Sequence, residues 1–190
     1  MKPQDYYVRH EAGGDLRTIE ETQALPRFPM YAILDNIRSA HNVGSIFRTS
    51  DGANAAGLHL CGYTASPPHR HLAKTALGAV DTVPWEHHET TMEAIARVRS
   101  EGCQVLALEF SEESELIYDA DIQFPVALIL GNETNGIDAE TRQLCDATVH
   151  LPMFGHKSSL NVSVAYGIAI YEILKRYQQS SHNPEPADPS

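Results

Sequence analysis

Apolar and polar positions along the chain switch repeatedly between two periods. Tyr31–Leu34, Leu58–Gly62, Val105–Leu108 and Val126–Leu130 are short, nearly continuous apolar runs. Such runs have the length and continuity of strands covered on both faces in a parallel sheet. Thr82–Trp85 and Ala147–Leu151 predict two further strands. Between them the period lengthens to that of a helix. Asn42–Ala56 places Val43, Ile46, Phe47 and Ser50 on one face, with Asn42 as the expected cap and Gly57 as the expected stop. Glu89–Glu101 does the same through Met92, Ile95, Ala96 and Val98, and shorter helices are expected at Leu72–Gly78 and Ala139–Leu144. The closing helix, from about Leu160 to Tyr177, carries Val162, Val164, Ala165, Ile168, Ala169, Ile170, Tyr171, Ile173 and Leu174 on almost every side. That pattern predicts burial all round, within the subunit or against a second one. Strands alternating with helices imply an α/β fold, a mostly parallel sheet flanked by helices.

The ends depart from this rhythm. Residues 1–29 are polar, end in Pro26-Arg27-Phe28-Pro29, and read as a lead-in with one short helix around Asp15–Ala24. Residues 30–178 form the expected single domain, and 179–190, with three prolines, a disordered tail. At 190 residues and 42% hydrophobic content the chain can bury a substantial core. No apolar run reaches the roughly 18 residues of a membrane span, and the polar start lacks a signal-peptide core, so a cytoplasmic protein is expected.

Charge and cysteine content narrow the chemistry. Cys61, Cys103 and Cys145 have no CxxC spacing, which argues against a disulfide framework or a zinc site and for small core residues. His69-Arg70-His71 and His87-His88-Glu89 lack helical HExxH spacing and read as solvated loop histidines, so no metal is expected. A net charge of −11 opposes nucleic acid as a partner. Residues 36–80 are an exception, with Arg38, Arg48, Arg70 and Lys74 against Asp51 alone and with His41, His59, His69 and His71 nearby. Phosphate contact depends on the local patch, so weak, salt-sensitive binding there is compatible with the acidic whole.

In parallel sheets ligands gather beyond the carboxyl ends of the strands. Three segments at those ends are rich in Asn, Gly and Ser: Asp35–Arg48, Gly131–Ile137 and Met153–Asn161. None carries the GxxxxGK[ST] phosphate loop, the GxGxxG dinucleotide turn or the GxSxG hydrolase elbow. Gly155, His156, Lys157, Ser158, Ser159 and Asn161 crowd the entrance of an apolar helix, more than capping requires.

The order and residues of these segments resemble the motifs of the SpoU/TrmH family of the SPOUT superfamily, RNA ribose 2′-O-methyltransferases. The first is Asn42-Val-Gly-Ser-Ile-Phe-Arg48-Thr, and the second is Leu130-Gly131-Asn132-Glu133-Thr-Asn135-Gly136-Ile137. The third is Leu151-Pro152-Met153 followed by Ser159-Leu160-Asn161-Val-Ser-Val-Ala165. The resemblance spans about residues 30–175. It implies a C-terminal deep trefoil knot that binds S-adenosylmethionine and releases S-adenosylhomocysteine. Carried over, the cofactor site comprises Leu108, Glu109, Gly131, Asn132, Ile137, Leu151, Met153, Ser159 and Leu160. Arg48 matches the family's catalytic arginine and Asn42 its accompanying asparagine. Glu133 becomes an alternative proton acceptor, and Ser159 and Asn161 orient the ribose. A guanidinium is effectively always protonated, which favours Arg48 as a stabiliser of the alkoxide and a grip on phosphate over a role as base. Gly44 and Ser45 leave room beside it for a ligand. The implied partners are tRNA or rRNA and a second copy of the chain. The alternatives are a non-catalytic RNA-binding or assembly protein on the same fold, and a base-methylating relative.

Overall fold

The computed structural model describes residues 18–182, so the expectations for 1–17 and 183–190 fall outside the described residues. Helix α1 (Ile19–Gln23) opens with a capping box, in which Thr18 and Glu21 satisfy each other's backbone N–H groups. Strand β1 (Phe28–Asp35) begins three residues before the expected Tyr31.

The sheet is built from β1, β2 (Ala55–Cys61), β3 (Trp85–His88), β4 (Gln104–Leu108), β5 (Glu115–Leu116), β6 (Val126–Leu130) and β7 (Ala147–His150). Its seven strands lie in the order β3-β2-β1-β6-β4-β7-β5 and every ladder is parallel. The α/β expectation therefore holds. β6 is buried at every position because it lies mid-sheet with β1 and β4 on either side, which is why VALIL reads as an unbroken apolar run.

The helices are α2 (Ala40–Gly52), α3 (Arg70–Ala76), α4 (Ala79–Thr82), α5 (Thr91–Ser100), α6 (Ala139–Gln143) and α7 (Val162–His182). Several boundaries differ from the sequence reading. Ser39, not Asn42, caps α2, its hydroxyl accepting the Asn42 N–H at 3.3 Å. The helix stops at Gly52, so Gly57 lies within β2, because Asn54 turns the chain in the left-handed region (φ 52°) and Phe28 pairs with Ala55. The third strand sits at Trp85–His88, since Ala79–Thr82 coils into a helical turn that pushes it along. α7 continues to His182, past the expected end of the domain at 178.

Two cores flank the sheet. The larger packs α2, α3 and α7 against one face, with Phe47, Ile46, Tyr166 and Ile170 fully buried. Within it the Tyr166 hydroxyl meets Ser50 Oγ at 2.7 Å, and Ser50 donates onward to Ile46 O. The smaller core packs α5, through Ala94, Ile95 and Val98, on the other face beneath Ile33, Cys61 and Ile129. Burial pushes the thiols of Cys61, Cys103 and Cys145 up, Cys61 to about 12, so all three are neutral at ordinary pH, as core cysteines should be.

Gly44 serves packing, not ligand access. A Cβ there would overlap Thr75 Oγ1 and the backbone carbonyl of Leu72, so glycine lets α3 lie directly on α2. The described residues bury α7 on some sides only. Tyr166, Ala169, Ile170 and Ile173 are fully buried, but Val164, Ile168 and Tyr171 are 50, 40 and 51% exposed. Their spacing of four and three residues makes one apolar stripe along the helix, left uncovered by the described residues.

Candidate active site

The carboxyl ends of β4, β6 and β7 and the turn into α7 enclose a cavity of about 430 Å³, within the range of small-molecule sites. Leu108, Glu109, Gly131, Asn132, Leu151, Met153, Ser159 and Leu160 all line it, as do Glu133 and Asn161. Ile137 does not. It is buried at 3% exposure in the smaller core, and only its N–H reaches the wall, donating to Glu109 Oε2 at 3.2 Å. Phe110, Thr134, Gly136, His150, Ser158, Val162 and Ala165 also line the cavity. Gly136 and Thr134 stood inside the second motif and could have been read from it. Phe110 lies just past the end of β4 and His150 closes β7, and neither carried a signal of its own.

The wall is held by backbone packed against backbone. A Cβ on Gly131 would lie 2.5 Å from Gly136 C and 2.6 Å from Ile137 N. Gly136 (φ 66°) adopts the left-handed region, and a Cβ there would overlap the Glu109 carboxylate. Glu109 Oε1 in turn accepts the Phe110 N–H at 3.1 Å, so one side chain ties the end of β4 to the second motif. Asn132 pins the same turn. Its Oδ1 accepts the N–H groups of Thr134 (2.9 Å) and Asn135 (3.0 Å), and its Nδ2 donates to Asn36 O (2.8 Å) and Tyr63 Oη (2.5 Å).

The first two motifs meet at one carboxylate, and the third joins them through Asn42. Glu133 accepts the N–H of Arg38 (2.7 Å), the N–H of Ser39 (3.1 Å) and Asn42 Nδ2 (3.0 Å). Asn42 Oδ1 then accepts Asn161 Nδ2 at 3.1 Å. Asn161 also caps α7, its Oδ1 accepting the Ser163 N–H at 3.0 Å and its backbone carbonyl the N–H of Ala165 at 2.9 Å. The helix-entrance cap is thus Asn161, which leaves Ser158 and Ser159 facing the cavity.

Burial alone would raise the Glu133 carboxyl. The donors from Arg38, Asn42 and Ser39 outweigh it and hold the group below its ordinary range. An ionised carboxylate with its oxygens so engaged is a weak base, and Glu133 acts as an anchor between motifs. A depressed value contributes stability that is present above the ordinary carboxylate range and lost as pH falls through the folded value. Glu133→Gln is therefore expected to lower stability near pH 7 by about 1 kcal/mol, given its exposure. It should also flatten the acid limb of thermal unfolding followed across pH. Wild-type and variant curves that stay parallel into acid would oppose this.

Arg48 stands apart. It is exposed on α2, six positions past Asn42 and so on a different helix face, and its side chain makes no hydrogen bond or ion pair among the described residues. Of the other cations expected to form a patch, Arg38 donates to Thr134 Oγ1 at 2.7 Å beside the cavity. Arg70 and Lys74 lie exposed on α3, where the rings of His41 and His71 are 5.3 Å apart. His69 caps α3 through Nδ1, which accepts the Leu72 N–H.

Residues 29–171 match the profile of the SpoU rRNA methylase family. The chain belongs to that family. A 23S rRNA (guanosine-2′-O-)-methyltransferase, RlmB of Ralstonia nicotianae, is 32% identical over 78% of this chain and 59% of its own length. The chain thus spans about three-fifths of that curated relative. Among solved structures, an AdoMet-bound rRNA methyltransferase from Sinorhizobium meliloti superposes with a TM-score of 0.73 at 31% identity, covering 82% of this chain and 59% of that one. The A. aeolicus TrmH/SpoU tRNA modifying enzyme gives 0.76 at 25% identity, covering 90 and 87%.

Proposed function

We propose that the chain is an S-adenosylmethionine-dependent RNA methyltransferase that methylates a ribose 2′-hydroxyl of tRNA or rRNA. The observation that carries this is the cavity itself. Among the described residues its lining offers two carboxylates, Glu109 and Glu133, with apolar Leu108, Leu130, Leu151 and Leu160, and no Lys or Arg. An acidic, partly apolar wall fits a cationic sulfonium bearing a nucleoside and disfavours a phosphate-bearing cofactor. The bound cofactor would supply an electrophilic methyl group. The chain's own residues position the nucleophile, the larger part of what such a site must do. Leu108, Leu151 and Leu160 hold the flat apolar part, and backbone groups bared at Gly131 and Gly136 leave room for close approach. Ser159 and Asn161 face the ribose side. Arg48 neutralises the adjacent phosphate and the developing alkoxide. The trefoil knot belongs to this reading through the family likeness, supported by the backbone-on-backbone packing at Gly131.

The same reading includes a cytoplasmic homodimer. Its support is the uncovered stripe of Val164, Ile168 and Tyr171 on α7, and among the described residues no helix is long and apolar enough to cross a membrane. Sedimentation at micromolar concentration should give twice the 21.0 kDa chain mass, and Ile168→Asp should return the monomer.

The deciding experiment methylates total RNA with labelled cofactor, digests it and identifies the labelled nucleoside. A 2′-O-methylated nucleoside is the expected product. A base-methylated nucleoside would overturn the ribose assignment, and absence of cofactor binding by calorimetry would turn the reading towards a non-catalytic RNA-binding protein.

A further inference from the structure

At the β3 edge of the sheet, beyond β1 and β2 from the cavity, a second group of side chains converges. In the β2–β3 ladder His59 is the register partner of Glu86, and His88 follows Glu86 by two positions. Residues two apart on a strand share a face, so all three point to the same side. His59 Nδ1 lies 2.9 Å from His88 Nε2, and Glu86 Oε2 lies 3.8 Å from that same His88 nitrogen. Among the described residues this is the one group of three whose ligand atoms all fall within 4.8 Å of one another. The sequence reading had placed His87 and His88 in a solvated loop. The structure puts them on a strand, with the His88 side chain only 12% exposed.

We propose that His59, His88 and Glu86 form a binding site for a divalent transition metal of the zinc class, holding edge strand β3 to β2. Two imidazoles and a carboxylate are a borderline donor set that suits zinc and not calcium or magnesium. Bonds of about 2.0–2.2 Å at tetrahedral angles place donor atoms about 3.3 Å apart. The histidine pair therefore opens by a few tenths of an ångström, and Glu86 closes on His88 by about half an ångström. Glu86 is free to do so because its side chain is 48% exposed, which also gives an ion access from solvent and leaves room for a water ligand.

Arg97 bridges Glu86 Oε1 at 3.4 Å and Glu101 at 2.5 Å, so one guanidinium faces two carboxylates, and Glu86 Oε2 is left for an ion. The competing arrangement is the hydrogen bond between the two rings alone.

The test uses the full, untagged chain freed of metal with a chelator, then titrated with Zn2+ by calorimetry and with Co2+ by visible absorption. One ion per chain is expected, with Co2+ bands of the intensity of a four-coordinate site and a raised melting temperature. Glu86→Gln and His88→Gln should each weaken zinc binding by at least about tenfold. Glu86 is exposed enough that its variant keeps the fold and carries the test if His88→Gln does not fold. Failure of the wild-type chain to take up zinc, or uptake unchanged in the Glu86→Gln variant, would show that the rings form a hydrogen-bonded pair only.

Discussion

Arg48→Ala is expected to lower kcat by about 10²–10³-fold, the loss seen when one donor to a developing oxyanion is removed. Arg48 is the exposed cation of the first motif and has no partner among the described residues, so its charge is left for a ligand. It does not line the cavity, so cofactor affinity measured by calorimetry should stay unchanged. Arg48→Lys keeps the charge and loses the planar fork, and it should recover only a small part of the rate. Single-turnover methylation of RNA separates this from a binding defect. A variant with normal turnover would remove Arg48 from the chemistry, and one that loses cofactor binding would make it a structural residue.

Gly131→Ala should damage both fold and site. The added carbon meets the backbone of Gly136 at 2.5 Å and of Ile137 at 2.6 Å, as well as Ile137 Cγ1 at 2.7 Å. Backbone on two sides cannot rotate away as a side-chain tip can, so the cost belongs at the upper end for overpacking, about 3 kcal/mol. In a chain of this size that corresponds to a fall in Tm of roughly 6–12 °C. The displaced turn carries Asn132 and Glu133, so cofactor binding should be lost as well. Gly155→Ala is the control: a Cβ there meets nothing within 4 Å, and calorimetric unfolding should leave its Tm unchanged. Equal melting temperatures for the two variants would show that the turn yields.

The pairing of Glu133 with Asn42 gives these effects a common cause. The Glu133 carboxylate is the joint through which the second motif sets the start of α2, and Asn42 passes that restraint to Asn161 at the start of α7. Residues 91 and 119 positions apart in the chain thus form one hydrogen-bonded relay at the mouth of the cavity. Each motif was visible as a cluster of Asn, Gly and Ser. Which atom would touch which was not, because hydrogen-bond partners that far apart leave no periodic trace.

Elsewhere the limit of the sequence has the same origin. The apolar runs at Val105–Leu108 and Val126–Leu130 identify strands because a strand buried on both faces must be apolar at every position. The same reasoning fails for α7, where a buried apolar residue and an exposed one look alike in sequence: Ile170 is fully buried and Ile168 is 40% exposed. Gly44 illustrates the point from the other side, since a small residue marks either a ligand or a close neighbour, and only the position of Leu72 and Thr75 decides for the neighbour.

By itself, then, the sequence determined the alternation of strands and helices and the three polar segments at the strand ends. Both follow from local rules, burial period and the placement of polar loops at one sheet edge. The tertiary structure decided what depends on strand order and register. It set Glu133 against the start of α2, left Arg48 outside the cavity, bared one face of α7, and brought His59 and His88 within 2.9 Å on neighbouring strands. Those are distances between residues far apart in the chain, fixed by how the sheet closes its order, and no window of sequence contains them.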